Sequence, residues 1–577
     1  MRSRLAWILA LPLLAGRQDD SKLAPKPLDS PEVWGIGARV EDFDFRDLEG
    51  RRGSLSELGR GAKAVVIAFT SVDCPVSKLY RPKLDRLAQE LAGKGVRLLF
   101  VYPNPAEKPE PSAAVHDKDG KIAGRLRATR TTDVFLVDSS GVLRYRGALD
   151  DQYGIGYRRD SARKNYLLDA IEAVLSGRKV SVAATEAPGC PIESSKRPSR
   201  ESGIAFHRDI RPILQRSCME CHRQGEIGPF PLTTYDEVFS VGARIREAVN
   251  GRRMPPWYAD PDHGSWANDR RLTTAERETL LKWVDDGMAE GNPKDAPTPR
   301  RFTEGWKIGT PDLVLKFPRP IKVKAEGVMP YKYAITRTQL TEDKWVQGIE
   351  VRPGNRAVVH HILVFVLAKG RALRDLEESG SGLESYFGIM VPGEEPTVYR
   401  EGEGKLLPAG SSIAFQIHYT PNGEATEDQS MVGFRFAKKP VQRPVLTKGI
   451  YNLEIEIPAG AANHRETASF EFEEDAELRS LLPHLHVRGK SFRFEAVYPD
   501  DRREILLDVP KYDFNWQFQY RPREAKRMPK GTRIEITGVY DNSAGNPANP
   551  DPTKVVRFGE QTDEEMLIGY IDYVRVK

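Results

Sequence analysis

The chain has 577 residues, of which 87 are Lys or Arg and 82 are Asp or Glu, for a formal charge of +5. The two signs are interspersed and no basic block stands out, which argues against nucleic-acid binding. At roughly 150 residues per domain the length implies about four domains, and 42 prolines with 48 glycines point to turns and short strands rather than long helices.

The chain starts MRSRLAWILALPLLAG. Arg2 and Arg4 precede a 12-residue apolar run, Leu5 to Gly16. That is shorter than the roughly 20 residues that span a bilayer and suits a secretory signal. Residues 1–16 therefore read as a signal peptide, with an uncleaved N-terminal tether as the alternative. The end of the run is similar to a bacterial lipobox, but Arg17 stands where the lipidated cysteine would be. No later run is long and apolar enough to span, so a periplasmic or secreted protein is expected.

Residues 33–180 alternate strand-like and helix-like runs. Ala64–Phe69 is continuously apolar, as a strand buried on both faces should be, and Ser77–Leu91 carries apolar residues at helical spacing. Further strands are expected at Val96–Tyr102 and Val134–Val137, giving a βαβ pattern. Residues 181–203, rich in Ser, Pro and charge, read as a linker. Residues 204–291 read as helical, with a Thr-x-x-Glu capping box at Thr273 and Glu276. After a Pro-containing linker the pattern changes to short alternating strands, and two antiparallel β-sandwiches are expected at 304–445 and 446–577. The fold class expected is thus multidomain: an α/β domain, an all-α domain and two antiparallel β-sandwiches.

Four cysteines are present, Cys74, Cys190, Cys218 and Cys221. None follows 221, so metal chemistry beyond that point must use His, Met or carboxylates. CMECH at 218–222 is a Cys-x-x-Cys-His motif, whose two thiols can add to haem vinyl groups while the histidine reaches the iron. A zinc reading would need two more nearby ligands, and no second Cys-x-x-Cys follows. The sixth iron ligand is expected to be Met254, in a loop stiffened by Pro255 and Pro256, with His263 or His207 as alternatives. Residues 204–291 resemble class I c-type cytochromes carrying MPPW after the haem motif. The resemblance implies haem c attached through Cys218 and Cys221 and ligated by His222 and Met254, and an exported setting.

FTSVDCPVSKLYRPKLDRL places Cys74 after a strand and at the start of a helix, where a thiol is made acidic. Residues 33–180 resemble redoxins of the thioredoxin/peroxiredoxin superfamily. Ser77 stands where a second thiol would be, and Thr132 where the family has a cis-proline. Cys190 is the other thiol, so Cys74 and Cys190 are candidate redox partners. A disulfide, a peroxidatic or relay thiol and an idle thiol are all open.

AVVHHILVFV carries His360 and His361, FQIHYTPNG carries His418, and PHLHVRGKSF carries His484 and His486. Neighbouring strand residues point to opposite faces, so His360 and His361 can share a metal only at a twist or bulge. His484 and His486 share a face. Met566 lies in DEEMLIGYIDY, four residues before Tyr570. His464 has no partner motif and reads as surface. The order HH, HY, HxH, EM resembles copper type II, ascorbate-dependent monooxygenases such as the peptidylglycine and dopamine β-hydroxylating enzymes, over 304–577. The resemblance implies two copper ions facing each other across a cleft, one held by His360, His361 and His418, the other by His484, His486 and Met566, with Tyr570 as a site-lining candidate. The peptidylglycine enzymes have an arginine two residues before the HxH; here Leu482 stands there, so a C-terminal glycine substrate is not expected.

Taken together, these readings predict a haem- and copper-binding oxidoreductase that hydroxylates a C–H bond with O2. Its partners would be a small-molecule or peptide substrate and an external electron donor, ascorbate-like or a periplasmic redox protein. The alternatives are a non-catalytic copper-binding electron carrier, or a thiol–haem redox protein with degenerate β domains.

Overall fold

The computed structural model describes residues 24–109, 114–193, 203–371 and 386–576. The expected signal segment, 1–16, and residues 194–202 of the expected linker lie outside them. No helix among the described residues is long and apolar enough to cross a membrane.

The first domain is a five-stranded sheet. Its elements are β1 (Ala64–Phe69), α1 (Pro75–Ala92), β2 (Val96–Tyr102), β3 (Val115–His116), β4 (Val134–Asp138), β5 (Leu143–Gly147), a short hairpin of β6 (Tyr153–Gly154) and β7 (Tyr157–Arg158), and α2 (Tyr166–Leu175). The strand order is β3-β2-β1-β4-β5. β1 runs parallel to β2 and antiparallel to β4. β1 is buried at every position because α1 and α2 cover one face while Leu55, Ile122 and Leu126 cover the other.

The expected linker differs from its structure. Residues 181–193 pack on the domain: Ala184 bridges Arg146, Pro191 bridges Arg130, and Ala184, Thr185 and Ala187 are buried. Polar composition hides this, because the contacts are made by backbone and small side chains.

Residues 204–291 carry α3 (Arg211–Ser217), α4 (Tyr235–Phe239), α5 (Gly242–Asn250) and α6 (Thr274–Asp285). Phe206, Leu214, Val238, Leu280 and Trp283 form their core. Both α4 and α6 start at complete capping boxes, Thr234 with Glu237 and Thr273 with Glu276. The self-contained all-α domain expected here is not evident. The loop between α5 and α6 has no regular structure, and its Trp257, Ala259 and Trp266 sit in the core of the C-terminal β region.

The β region begins with β8 (Leu313–Lys316), β9 (Lys332–Arg337), β10 (Lys344–Arg352), β11 (Val359–Leu367), β12 (Tyr386–Met390), β13 (Glu403–Leu407), β14 (Ser412–Tyr419) and β15 (Met431–Phe436). It continues with β16 (Arg443–Asn452), β17 (His464–Glu471), β18 (Ala476–His484), β19 (Gly489–Val497), β20 (Arg503–Val509), β21 (Lys526–Met528), β22 (Arg533–Tyr540) and β23 (Leu567–Arg575). Two four-stranded sheets, β9-β14-β11-β12 and β17-β22-β19-β20, belong one to each half. The other main sheet crosses both halves in the order β8-β15-β10-β13-β16-β23-β18-β21. The halves are joined by a parallel pairing, Glu403 to Arg443. The boundary expected at 445/446 therefore falls inside β16, and the two sandwiches share one sheet. Lys405, buried in β13, pairs with Asp572 of β23 at 2.9 Å across that seam.

Candidate functional site

β11 and β14 pair antiparallel, with a register shift between Val359 and His361. His360 is the extra residue. The bulge turns its ring to the side of His361, and His361 lies directly opposite His418. One ring nitrogen from each of the three histidines lies within 4.8 Å of the others. The Nδ1 atoms of His360 and His361 are 2.9 Å apart, and those of His360 and His418 are 3.3 Å apart. Ligands about 2.0–2.1 Å from one tetrahedral ion stand about 3.3 Å from each other. All three rings are buried, and Nε2 of His360 and of His361 has no hydrogen-bond partner. Burial, reinforced by the Arg158 guanidinium, pushes His360 down to about 3. Burial also holds His361 and His418 well below the usual imidazole range, with His360 adding to both shifts. The rings are therefore neutral, and lone pairs are available to an ion.

β18 ends at His484, so His486 sits in the turn that follows rather than on the strand. Their ring centroids are nevertheless 5.2 Å apart. His484 Nδ1 lies 2.6 Å from Gln517 Oε1, and the Gln517 amide donates to the Phe514 carbonyl, which aims its oxygen at the imidazole. His484 must then carry its proton on Nδ1 and keep Nε2 free. His486 Nδ1 lies 3.1 Å from the Glu564 carbonyl, and its buried Nε2 has no partner. Burial lowers His484 to about 4 and His486 to about 3, the neighbouring His484 adding to the latter. β18 pairs with β23 so that His484 faces Ile568, and the pairing ends there, with Met566 just ahead of β23. Met566 is buried in an apolar cluster with Leu363, Leu482 and Ile568.

The two histidine groups do not face an open cleft. Tyr331 lies 5.7 Å from His361 and 6.3 Å from His486, centroid to centroid, and Phe514 lies 6.3 and 6.1 Å from the same two rings. These two aromatic rings stand between the histidine groups. Tyr570 is displaced from its expected role as well. It stacks on Tyr386 at 4.5 Å in the apolar contact between the halves and does not line the cavity described next.

A cavity of about 900 Å³ lies where the first domain, the helical segment and the β region meet. Its wall includes Arg158 and Cys190 from the first part of the chain, His222 and Met254 from the helical segment, and His418, Phe514 and Asn515 from the β region. His222 Nδ1 lies 3.0 Å from the Phe230 carbonyl, which leaves Nε2 as the free lone pair, and burial lowers its pKa so that the ring is neutral. Met254 shares that cavity with His222, whereas His207 reaches toward Glu290 at 3.4 Å and neither it nor His263 is on the wall. Cys218 and Cys221 are free thiols raised by burial, Cys218 to about 12. Cys221 opens on a separate cavity of about 60 Å³ against Val391 and Gly393. His464 makes a surface contact with Glu466 at 2.8 Å.

Cys74 is fully buried at the N-terminus of α1, ahead of Pro75. The Cys190 backbone N–H points at its sulfur from 3.3 Å and also donates to Thr131 Oγ1 at 3.1 Å. Burial opposes ionisation of Cys74, but hydrogen bonds from Cys190 and Thr131 hold it well below the usual thiol range. The contact with Cys74, together with burial, pushes Cys190 well above that range. Ser77, at the position of the absent second thiol, donates instead to the Thr131 carbonyl at 2.8 Å. Residues missed from sequence alone are Gln517, Tyr331, Phe514, Arg158 and Glu565. Glu565 is buried, accepts from the His486 and Arg488 backbone N–H groups, and is raised by burial to about 7. Only its place beside Met566 could have marked it.

A mixed central sheet with a cysteine at the N-terminus of the helix after its first central strand defines a thioredoxin-like redoxin. Residues 36–146 match the AhpC/TSA family, so the N-terminal domain is a thioredoxin-like redoxin domain. Similar solved structures include a hypothetical protein from Sinorhizobium meliloti, 29% identical over 28% of this chain and 94% of that one, with a TM-score of 0.25. An uncharacterized conserved protein from Geobacillus kaustophilus is 24% identical over 31% of this chain and 99% of its own, with a TM-score of 0.25. A peroxidoxin from Mycobacterium tuberculosis is 16% identical over 25% of this chain and 97% of its own, with a TM-score of 0.20. No curated protein matches the chain.

Proposed function

We propose that this is an exported oxidoreductase with two copper sites and a covalently attached c-type haem, which hydroxylates a C–H bond of a small-molecule or peptide substrate with dioxygen. The observation that carries the reading is the convergence of three neutral imidazoles, His360, His361 and His418, at ligand-to-ligand spacing in a buried site. The unpartnered Nε2 of buried His486 favours an ion over a hydrogen-bonded core at the second group, since buried polar atoms are otherwise satisfied. Copper supplies one-electron chemistry with dioxygen, which a redox-inert zinc ion in the same nitrogen set would not.

The chain's own residues do the rest. Burial keeps five imidazoles unprotonated. Gln517 and the Glu564 carbonyl fix the tautomers of His484 and His486 and so select the nitrogen offered to metal. Met566 would add a thioether to the second group. Tyr331 and Phe514 exclude water between the two groups. The cavity brings substrate to His418. His222 would offer Nε2 to haem iron and Met254 its sulfur, both from the wall of this cavity, with Cys218 and Cys221 as the thioether-forming thiols. Electrons enter from an ascorbate-like donor or a periplasmic redox protein.

Copper reconstitution of the purified chain tests this. Two coppers per chain, with oxygen uptake that stops on chelation, is the expected result. Two coppers without oxygen uptake under reductant would leave a copper-binding electron carrier. No copper at all would leave a thiol–haem redox protein, a reading that the contact between Cys74 and Cys190 favours.

A further inference from the structure

Cys190 of the redoxin's thiol pair and the proposed haem ligand His222 open on one cavity, and the residues between them form a continuous path. Cys190, brought onto Cys74 by the packed segment 181–193, is on the cavity wall. Beside it lies Arg244, 6% exposed, within 3.4 Å of Glu107 and 3.5 Å of Glu193, and with its Nη1 unpartnered. Its guanidinium sits over the Phe230 ring at 5.7 Å. Phe230 packs on His222 at 5.2 Å, and its carbonyl holds His222 Nδ1. Glu193, three residues after Cys190, accepts from the backbone N–H groups of Ala243 and Arg244 in α5. The strand of chain that carries the second thiol is thus clamped between the redoxin and the helix behind the proposed haem.

We propose that Cys74 and Cys190 are a dithiol–disulfide couple that feeds electrons across this cavity to the haem at Cys218, Cys221 and His222. The proposal rests on the haem reading above. In the forward step the Cys74 thiolate and the Cys190 thiol lose one proton and two electrons as the S–S bond forms. The two electrons would leave singly to a one-electron acceptor held at His222, which the proposed copper sites would clear between the two transfers. A reduced dithiol from solution resets the pair. Its thiolate attacks Cys190 Sγ, the sulfur on the cavity side, and Cys74 departs as the stabilised thiolate, the better leaving group. A second thiolate attack then releases the donor as its own disulfide. Buried Cys74 never needs to meet the donor.

The test is anaerobic stopped-flow reduction of the full-length, haem-loaded chain by dithiothreitol, followed by haem absorbance. The rate is normalised to the rate with ascorbate in the same variant. Cys74→Ser and Cys190→Ser are each expected to lower the normalised rate at least tenfold. In chain expressed without haem, diamide is expected to link the peptides containing Cys74 and Cys190, seen by mass spectrometry. Equal normalised rates in wild type and both variants would overturn the proposal while leaving the haem reading intact. Failure of the two peptides to link would overturn it as well. A chain that carries no covalent haem in a pyridine haemochrome assay would overturn both readings together.

Discussion

At the residue scale, the least obvious working part is Gln517. Its amide is fixed by donation to the Phe514 carbonyl, so its oxygen can only accept from His484. Partners that set an imidazole tautomer are worth about 10–100-fold in metal affinity. Gln517→Leu should therefore weaken copper at the proposed second site by about that factor and leave the proposed first site unchanged. Isothermal titration of copper into the variant checks this, and equal weakening of both sites would contradict it. The same residues set the pH range of binding. An imidazole must be unprotonated to bind a metal. Free histidine has a pKa near 6.5, so an exposed site loses copper as pH falls through that value. Here the folded-state values are lowered, to about 3 for His360 and His486 and about 4 for His484. Proton competition should begin only below about pH 4, and copper affinity at pH 5 should stay within about twofold of that at pH 7. A loss of tenfold or more in an equilibrium competition between those two pH values would refute the buried, neutral site.

At the element scale, what could be seen in the sequence depended on whether a feature repeats. The apolar run Ala64–Phe69 and the capping box at Thr273 are local patterns, and both form as expected. The need for a bulge at His360 was also legible, because adjacent strand residues diverge and only an extra residue brings both rings to one side. The end of β18 at His484 was not, since His486 keeps the two-residue spacing of a strand while its backbone N–H turns to Glu565. Nor was the destination of the loop after α5. Trp257 and Trp266 carry no periodicity, and their partners, Phe518 and Tyr520, lie some 260 residues later in the chain. Trp257 has its ring 4.8 Å from Tyr520 and is buried. Truncating such an aromatic costs about 3–5 kcal/mol. Trp257→Ala should accordingly lower the denaturant midpoint of the C-terminal β region and leave the redoxin transition, read by Cys74 alkylation, where it was. An unchanged β-region midpoint would mean that the helical segment folds alone.

At the scale of the whole molecule, the three parts meet through contacts that no single-domain pattern reveals. Arg86 pairs with Glu326, Arg158 donates to the Pro421 carbonyl, and Arg163 donates to the Asn549 and Pro550 carbonyls. Each joins the redoxin to the β region, and together they close one side of the cavity. No local pattern marks these residues in the sequence, because their partners are mostly backbone carbonyls far along the chain. The two backbones also come close at Gly423, whose φ of +101° lies outside the range favoured by side-chain-bearing residues. A Cβ added there would run into the Lys78 carbonyl oxygen in α1, which is backbone and cannot swing aside. Gly423→Ala therefore adds a steric clash to a backbone penalty of about 1–3 kcal/mol, and both are relieved if the redoxin lifts off. The variant should keep the redoxin folded and the three-histidine cluster intact while opening the cavity between them. Three readouts follow: a larger radius of gyration in solution scattering, faster alkylation of Cys190, and copper binding unchanged at the first site. If scattering and alkylation match wild type, the redoxin is not held by this contact, and the cavity that joins the thiols to His222 loses its structural basis.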